Sequence, residues 1–364
     1  MKILFITRKY PPSTGGMENM AVNLYGELIR HEEVALIKWG GDNKWLPLIY
    51  PWLFLRACGK LMFGKYDTIY LQDGLMAPIG VVLRFLFKTK TVVTIHGLEV
   101  TYKNTFYRKI ILPCIKRQGK IIAVSEESKA AVIESLGDIA VEVINNGVED
   151  KFYSSKPRKQ QLDVIATATG MHVANLEKSL IVHSGGRLVK RKGVAWFIDA
   201  VLPELVKKMN RDVVYFVSGT GPDLDNVREA VKRHGLQEVV HMLGRINDDV
   251  LHALYNCADI YVMPNIPVPG DMEGFGLVAL EAASAERIVI ASKLEGIQDA
   301  ITDGKNGILV QPKDASCYID TIINVCTDTT KHQFGVAARS YTIKKFSWEA
   351  VAKQYIASMK SMVE

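Results

Sequence analysis

At 364 residues the chain exceeds what one hydrophobic core of ordinary size absorbs, which predicts two domains. A 48% hydrophobic and 23% charged composition excludes a disordered or low-complexity chain, and a net charge of +6 over this length is too small to single out nucleic acid as a partner. Five widely spaced cysteines without a CxxC pair argue against a disulfide framework and a zinc site. With Arg8 and Lys9 too early for a signal peptide and no apolar run of about 18 residues, the expectation is a cytoplasmic chain.

In chain order, the apolar run 2–7, the loop Tyr10-Pro-Pro-Ser-Thr-Gly-Gly16 and the apolar-periodic stretch 17–29 predict strand, glycine loop and helix. Strands are expected again at 34–38, 68–71, 91–95, 120–124 and 141–144, with helical segments such as 125–136 between them. Trp45 to Leu55, with Arg56, Lys60 and Lys65 after it, reads only as apolar and basic material. Residues 102–120 carry Lys103, Arg108, Lys109, Lys116, Arg117 and Lys120 without an acid, interleaved with Phe106, Tyr107, Ile110, Ile111 and Leu112. That stretch is either a surface for an anionic membrane or a helix with a core side and a solvated basic side; periodicity does not choose. After a polar stretch at 154–161 the pattern restarts, with strands at 179–184, 213–218, 239–242, 260–263, 289–291 and 307–310 and helices at 194–208, 223–234, 248–257, 277–285 and 317–327. The alternation predicts an α/β protein of two Rossmann-like domains with mostly parallel sheets, whose ligands sit at the carboxyl ends of the strands in a cleft. The expected domains are 1–170 and 171–345, with 346–364 a terminal helix capped by Ser347.

The chemistry concentrates in the second half. In Asp271-Met-Glu273-Gly-Phe-Gly-Leu277-Val-Ala-Leu-Glu281 a glycine-flanked carboxylate precedes a helix that carries a second one. Gly274 and Gly276 let the backbone approach a ligand, and a helix beginning near Leu277 offers free amides to a diphosphate. Glu281 is then placed for a cis-diol such as ribose, and Glu273 for a sugar; the other reading is an acid near a helix start that the dipole stabilises and a solvated helix position, which the apolar neighbours Phe275, Leu277 and Leu280 weaken. Arg187 and Lys192, in a loop between strand and helix, can neutralise a leaving nucleoside diphosphate, or are simply solvated. Gly219-Thr-Gly221-Pro222 lacks the third glycine of a dinucleotide loop, which argues against NAD, and Asp223 with Asp225 reads as a helix start more than as a metal site. Gly15, Gly16 and His96 lie where a first-domain ligand would sit, although a hydrogen-bonded structural role suits His96 equally.

In this order the segments resemble the retaining glycosyltransferases of family 4, which have the GT-B fold. The Pro-Pro-Ser-Thr-Gly-Gly16 loop, Thr94-Ile-His96-Gly97, Ile144-Asn-Asn-Gly147, Gly186-Arg187 with Lys192-Gly193, Gly219-Thr-Gly221-Pro222, Gly244-Arg245 and the Glu273/Glu281 pair carry the resemblance. It implies that Arg187 and Lys192 hold the donor diphosphate, and that Glu273 with the backbone of Gly274, Phe275, Gly276 and Leu277 holds the sugar. Glu281 would take the ribose, Gly219 would line the donor loop, and Arg245 and Ile246 the base pocket. Gly15, Gly16 and His96 would approach from the first domain, and the terminal helix would cross back to it. It also implies a UDP- or GDP-sugar substrate, retention without a protein nucleophile, and no essential metal or cofactor. The acceptor expected from the composition of the first domain is a glycan or lipid-linked molecule, reached by a peripheral enzyme at an anionic membrane surface, the inner face of the cell membrane. A sugar-nucleotide epimerase of the same fold and a noncatalytic nucleotide-binding module are the alternatives.

Overall fold

The computed structural model describes residues 1–13, 15–101, 104–105, 107–328 and 330–363, with the backbone alone for residues 43 and 98. The chain divides into two compact units, Met1–Gly147 with Phe346–Glu364, and Val148–Lys345.

The first unit is a six-stranded sheet in the order β2-β1-β3-β4-β5-β6. Its strands are β1 (Lys2–Thr7), β2 (Glu33–Lys38), β3 (Thr68–Leu71), β4 (Lys90–Ile95), β5 (Lys120–Ala123) and β6 (Glu142–Val143), every pairing parallel. Both faces are covered, so the strands are apolar throughout rather than alternating. The period of two still sorts their side chains. Leu4 and Ile6 pack with Leu53, Ile79, Leu83 and Val132 of the helices Leu46–Phe63, Ala77–Phe87 and Glu126–Leu136. Ile3 and Phe5 pack on the other face with Met20 and Leu24 of Gly16–His31 and with Trp348, Val351, Tyr355 and Met359 of the terminal helix Trp348–Val363. That helix starts where expected, with Ala350 N–H donating to Ser347 Oγ at 3.3 Å. Its Trp348 ring lies over Gly147, where a Cβ would approach to 2.5 Å.

Residues 107–120 take the core-and-solvent alternative. Ile111, Leu112 and Ile115 are buried in the first unit's core, while Arg108, Lys109, Lys116 and Arg117 face solvent. Lys103 and Phe106 lie outside the described residues. More exposed apolar surface lies on Leu46–Phe63, an apolar helix despite Pro47 and Pro51, because Pro47 occupies the first turn where no N–H is needed.

The second unit repeats the plan with the order β12-β11-β10-β7-β8-β9. The strands are β7 (Leu180–Gly185), β8 (Val213–Ser218), β9 (Val240–Gly244), β10 (Ile260–Met263), β11 (Ile288–Ser292) and β12 (Ile308–Val310), again all parallel. Two local differences from expectation have simple causes. The helix expected at 194–208 is two, Val194–Ala200 and Leu202–Lys208, because Pro203 opens the second. The polar 154–161 stretch leads into a helix, Arg158–Thr169, whose Leu162 and Ile165 pack with Val250 and Leu254. That packing carries residues 148–170 into the second unit, whereas the sequence reading assigns them to the first.

Candidate functional site

In the second sheet the strand order reverses between β7 and β10, and the carboxyl ends of those two strands diverge there into loops. This is where an open α/β sheet offers a ligand crevice. The loops that follow β7, β8 and β9 are tied to one another by backbone bonds, Gly186 N–H to Ser218 O at 3.0 Å, Leu188 N–H to Thr220 O at 3.0 Å and Gly219 N–H to Gly244 O at 2.7 Å. Gly219 has φ 122°, and a Cβ there would lie 1.8 Å from Gly186 O. Its glycine is therefore a requirement of loop packing. Gly193 ends the turn Lys190–Lys192 with φ 66°, and a Cβ there would lie 1.9 Å from Pro264 O. That close approach brings the basic loop against the segment leaving β10.

Lys192 is held inward by this contact. Its Nζ lies 2.7 Å from Glu273 Oε2, with Arg191 Nε 3.4 Å from the same oxygen and Asn265 Nδ2 donating to it at 3.1 Å. Burial works against the charge of Glu273, but Lys192, then Arg191 and Asn265, hold its carboxyl below the ordinary value. The Glu273 backbone N–H donates to the Glu295 carboxylate. Gly276, at φ 101° and ψ 42°, turns the chain into the helix Leu277–Ser284, with Phe275 buried before it. The first-turn amides of that helix and the two cations therefore stand on one loop cluster with Glu273. Arg187 is exposed at the mouth of β7.

Glu281 lies in the next turn of the helix and accepts a hydrogen bond from Tyr255 OH at 2.8 Å. Burial pushes its carboxyl up to about 7, with the Tyr255 bond opposing. Arg245 is exposed after β9, and Ile246 packs partly on the core around Leu254. Asp223 accepts from Asn226 Nδ2 at 2.6 Å and Asp225 pairs with Arg228 at 3.1 Å, so both serve their helix start. Among the described residues no group of three or more His, Cys, Asp or Glu side chains stands together to hold a metal ion.

In the first unit, Gly15 precedes and Gly16 opens the helix Gly16–His31 at the end of the β1 loop. His96, after β4, has Nε2 3.0 Å from Gln72 O. Around it stand a nearly buried ion pair, Arg8 Nε to Asp73 Oδ1 at 3.2 Å, and Glu99, which accepts from Gly74 N–H at 3.1 Å. Burial pushes the Glu99 carboxyl up.

Comparison with known proteins decides the family. The profile described as Glycosyltransferase Family 4 matches residues 14–152, and that described as Glycosyl transferases group 1 matches residues 179–328. The chain is a family 4 glycosyltransferase. An uncharacterized glycosyltransferase of Methanocaldococcus jannaschii is 27% identical over 100% of this chain and 99% of its own. A GDP-mannose-dependent alpha-(1-6)-phosphatidylinositol monomannoside mannosyltransferase of Mycolicibacterium smegmatis is 25% identical over 95% of both chains. Among solved structures, HepE of Anabaena in complex with UDP has the same fold, with a TM-score of 0.76 at 22% identity, covering 99% of this chain and 100% of its own.

In this family 4 enzyme the structure brings Lys192, Glu273, Gly274, Phe275, Gly276 and Leu277 together, with Glu281 one turn on. Sequence reasoning missed Arg191, Asn265, Glu295 and Tyr255 as their partners. Tyr261 was missed too: its hydroxyl accepts from Gly185 N–H and donates to Gly185 O, both at 3.1 Å, which fixes the loop after β7. Arg191 is adjacent to a chosen residue and carries the same charge, a signal that was available. The others are visible only once the strands are paired.

Proposed function

We propose that this glycosyltransferase moves a hexosyl residue from a UDP- or GDP-sugar to a glycan or lipid-linked acceptor of the cell envelope, with retention at the anomeric carbon. The carrying observation is the contact of Lys192 with Glu273 at 2.7 Å beside the N-terminus of Leu277–Ser284, which no N-cap side chain bonds. A diphosphate seated on the amides of that N-terminus takes its counter-charge from Lys192 and Arg187, its sugar hydroxyls meet Glu273, and its ribose meets Glu281. The mycobacterial relative's GDP-mannose dependence and the UDP bound by HepE support a nucleoside-diphosphate donor and leave both bases in play. A thermal-shift series of UDP-, GDP- and ADP-sugars is the test. The true donor at 100 times its Kd is expected to stabilise the protein by about 2.7 kcal/mol. No shift with any of them removes the donor reading. Release of nucleoside diphosphate only with acceptor present separates transfer from epimerisation and from simple binding.

The lipid-linked acceptor is supported by the first unit's surface. Leu48, Trp52, Leu55 and Met62 run along the outward side of Leu46–Phe63 while Leu53, Ala57 and Leu61 face the core, so the helix is apolar outward as well as inward, apart from Arg56 and Lys60. The neighbouring helix Ala77–Phe87 adds Val82, Phe85 and Leu86, with Leu55 67% and Phe85 82% exposed. Arg56, Lys60, Arg84 and Lys88 are the charges there, and neither helix contains an acid. Cations on an exposed apolar face suit an anionic bilayer. Among the described residues no helix is long and apolar enough to cross one. A Leu55→Glu, Phe85→Glu protein is expected to lose at least about tenfold in co-sedimentation with phosphatidylglycerol vesicles, since each side chain contributes about 1.5–3 kcal/mol when buried. Unchanged sedimentation, or a wild-type dimer that the substitutions split, removes the membrane role.

A further inference from the structure

We infer that Arg191 is a positioning residue: it becomes the counter-ion of Glu273 when a bound diphosphate draws Lys192 away. This rests on the donor reading above, in which Lys192 serves the diphosphate and Glu273 the sugar. Without ligand the two assignments conflict, because Lys192 Nζ is committed to Glu273 Oε2 at 2.7 Å. A lysine on a flexible stem can exchange one anion for another, but a buried carboxylate that loses its nearest cation is left in a medium that disfavours its charge.

The structure holds a replacement in reserve. Arg191 Nε lies 3.4 Å from the same Oε2, yet this buried nitrogen has no hydrogen-bond partner among the described residues. The rest of Arg191 is fixed. Its Nη1 pairs with Asp271 at 2.6 Å, and its carbonyl accepts from Ile266 N–H at 2.9 Å. Both tethers come from the proline-rich run Pro264-Asn-Ile-Pro-Val-Pro-Gly-Asp271. The run thereby straps the guanidinium beside Glu273, where a short movement makes the missing bond. A planar guanidinium so held cannot follow the diphosphate as Lys192 can.

The surroundings make the replacement necessary. Glu273 is faced by Lys192 and Arg191 as cations, by Asn265 as a neutral donor, by Glu295 at its own backbone N–H, by Asp271 through Arg191, and by the Tyr261 hydroxyl. With Lys192 withdrawn and Arg191 absent, no cationic side chain pairs with Glu273 among the described residues. Glu273 then takes up a proton and stops being a pure hydrogen-bond acceptor for sugar hydroxyls.

The test is proton linkage. UDP and GDP are each titrated calorimetrically into the full chain near about pH 6, in two buffers of different ionisation enthalpy. Arg191→Met is expected to take up about one more proton per nucleotide bound than wild type, so its affinity falls about tenfold further per pH unit. Arg191→Lys, which restores the charge, is expected to return the count most of the way to wild type. Equal proton counts for wild type and Arg191→Met, with a uniform loss of affinity or stability, overturn the counter-ion role and leave the donor reading standing. Failure of wild type to bind either nucleotide overturns both.

Discussion

Replacing Lys192 by alanine is expected to slow transfer about 10²–10³-fold, mainly in kcat, in a protein that still folds. In the proposed transfer the bond to the anomeric carbon breaks with negative charge moving onto the diphosphate, so a cation seated there would interact more strongly with the transition state than with the bound donor. Lys192 is mostly buried, with 15% of its side chain exposed, so little water screens that interaction. The fold should survive because Gly193, not Lys192, makes the contact with Pro264, and because Arg191 and Asn265 remain on Glu273. Lys192→Arg should recover part of the rate, limited by the bulk of a guanidinium in the turn. The measurement is nucleoside diphosphate release under saturating donor and acceptor, beside a circular-dichroism melt. A Lys192→Ala enzyme within about threefold of wild-type kcat would remove Lys192 from the transition state and shift that role to Arg187.

The two sheets were legible because parallel strands buried on both faces are written as short apolar runs. Lys2–Thr7, Thr68–Leu71, Val213–Ser218 and Ile260–Met263 are bounded in the structure as periodicity bounds them, and the others differ by a residue or two at their ends. Leu46–Phe63 was not legible as a helix. Two prolines and an apolar outward face hide the periodicity that marks an ordinary surface helix. Arg158–Thr169 was hidden for the opposite reason: its buried side is little more than Gln161, Leu162 and Ile165, so polar positions dominate its sequence. The same distinction holds at the site. Glu273 and Glu281 announce themselves through the glycines and the apolar run between them, because those constraints are local in sequence. Asn265, Glu295 and Tyr255 act on them from other loops and helices, so their roles depend on strand order and cannot be read from spacing. Gly219 reads in the sequence as a ligand-side glycine, and the structure adds a packing reason that only the neighbouring loop supplies.

Glu281→Gln is expected to stabilise the ligand-free protein at pH above about 7 while weakening nucleotide binding about 10–100-fold, two changes of opposite direction from one atom. The Glu281 carboxyl is pushed from 4.5 up to about 7 by burial, so the folded protein holds its proton more tightly than the unfolded chain does. Stability from that proton is complete below the unfolded value and is lost as pH rises through about 7, where the carboxylate must be carried ionised. Glutamine removes the titration and can still accept from Tyr255 through its carbonyl. A gain on the order of 2 kcal/mol at about pH 8, or roughly 4–8 °C in the melting temperature of a unit of this size, is expected, shrinking towards zero near about pH 5. In the proposed donor site the binding loss follows because a carboxylate accepts from both hydroxyls of a ribose, whereas an amide accepts through one atom and turns a donor towards the other. Wild-type affinity for the nucleotide should therefore rise as pH passes through about 7, and that of Glu281→Gln should not. This trend runs opposite to the one expected of Arg191→Met, so the two carboxylates can be told apart in a single set of titrations. A Glu281→Gln protein no more stable than wild type at about pH 8 would mean that Glu281 is already ionised before the nucleotide arrives, and that its place beside Tyr255 costs the fold nothing.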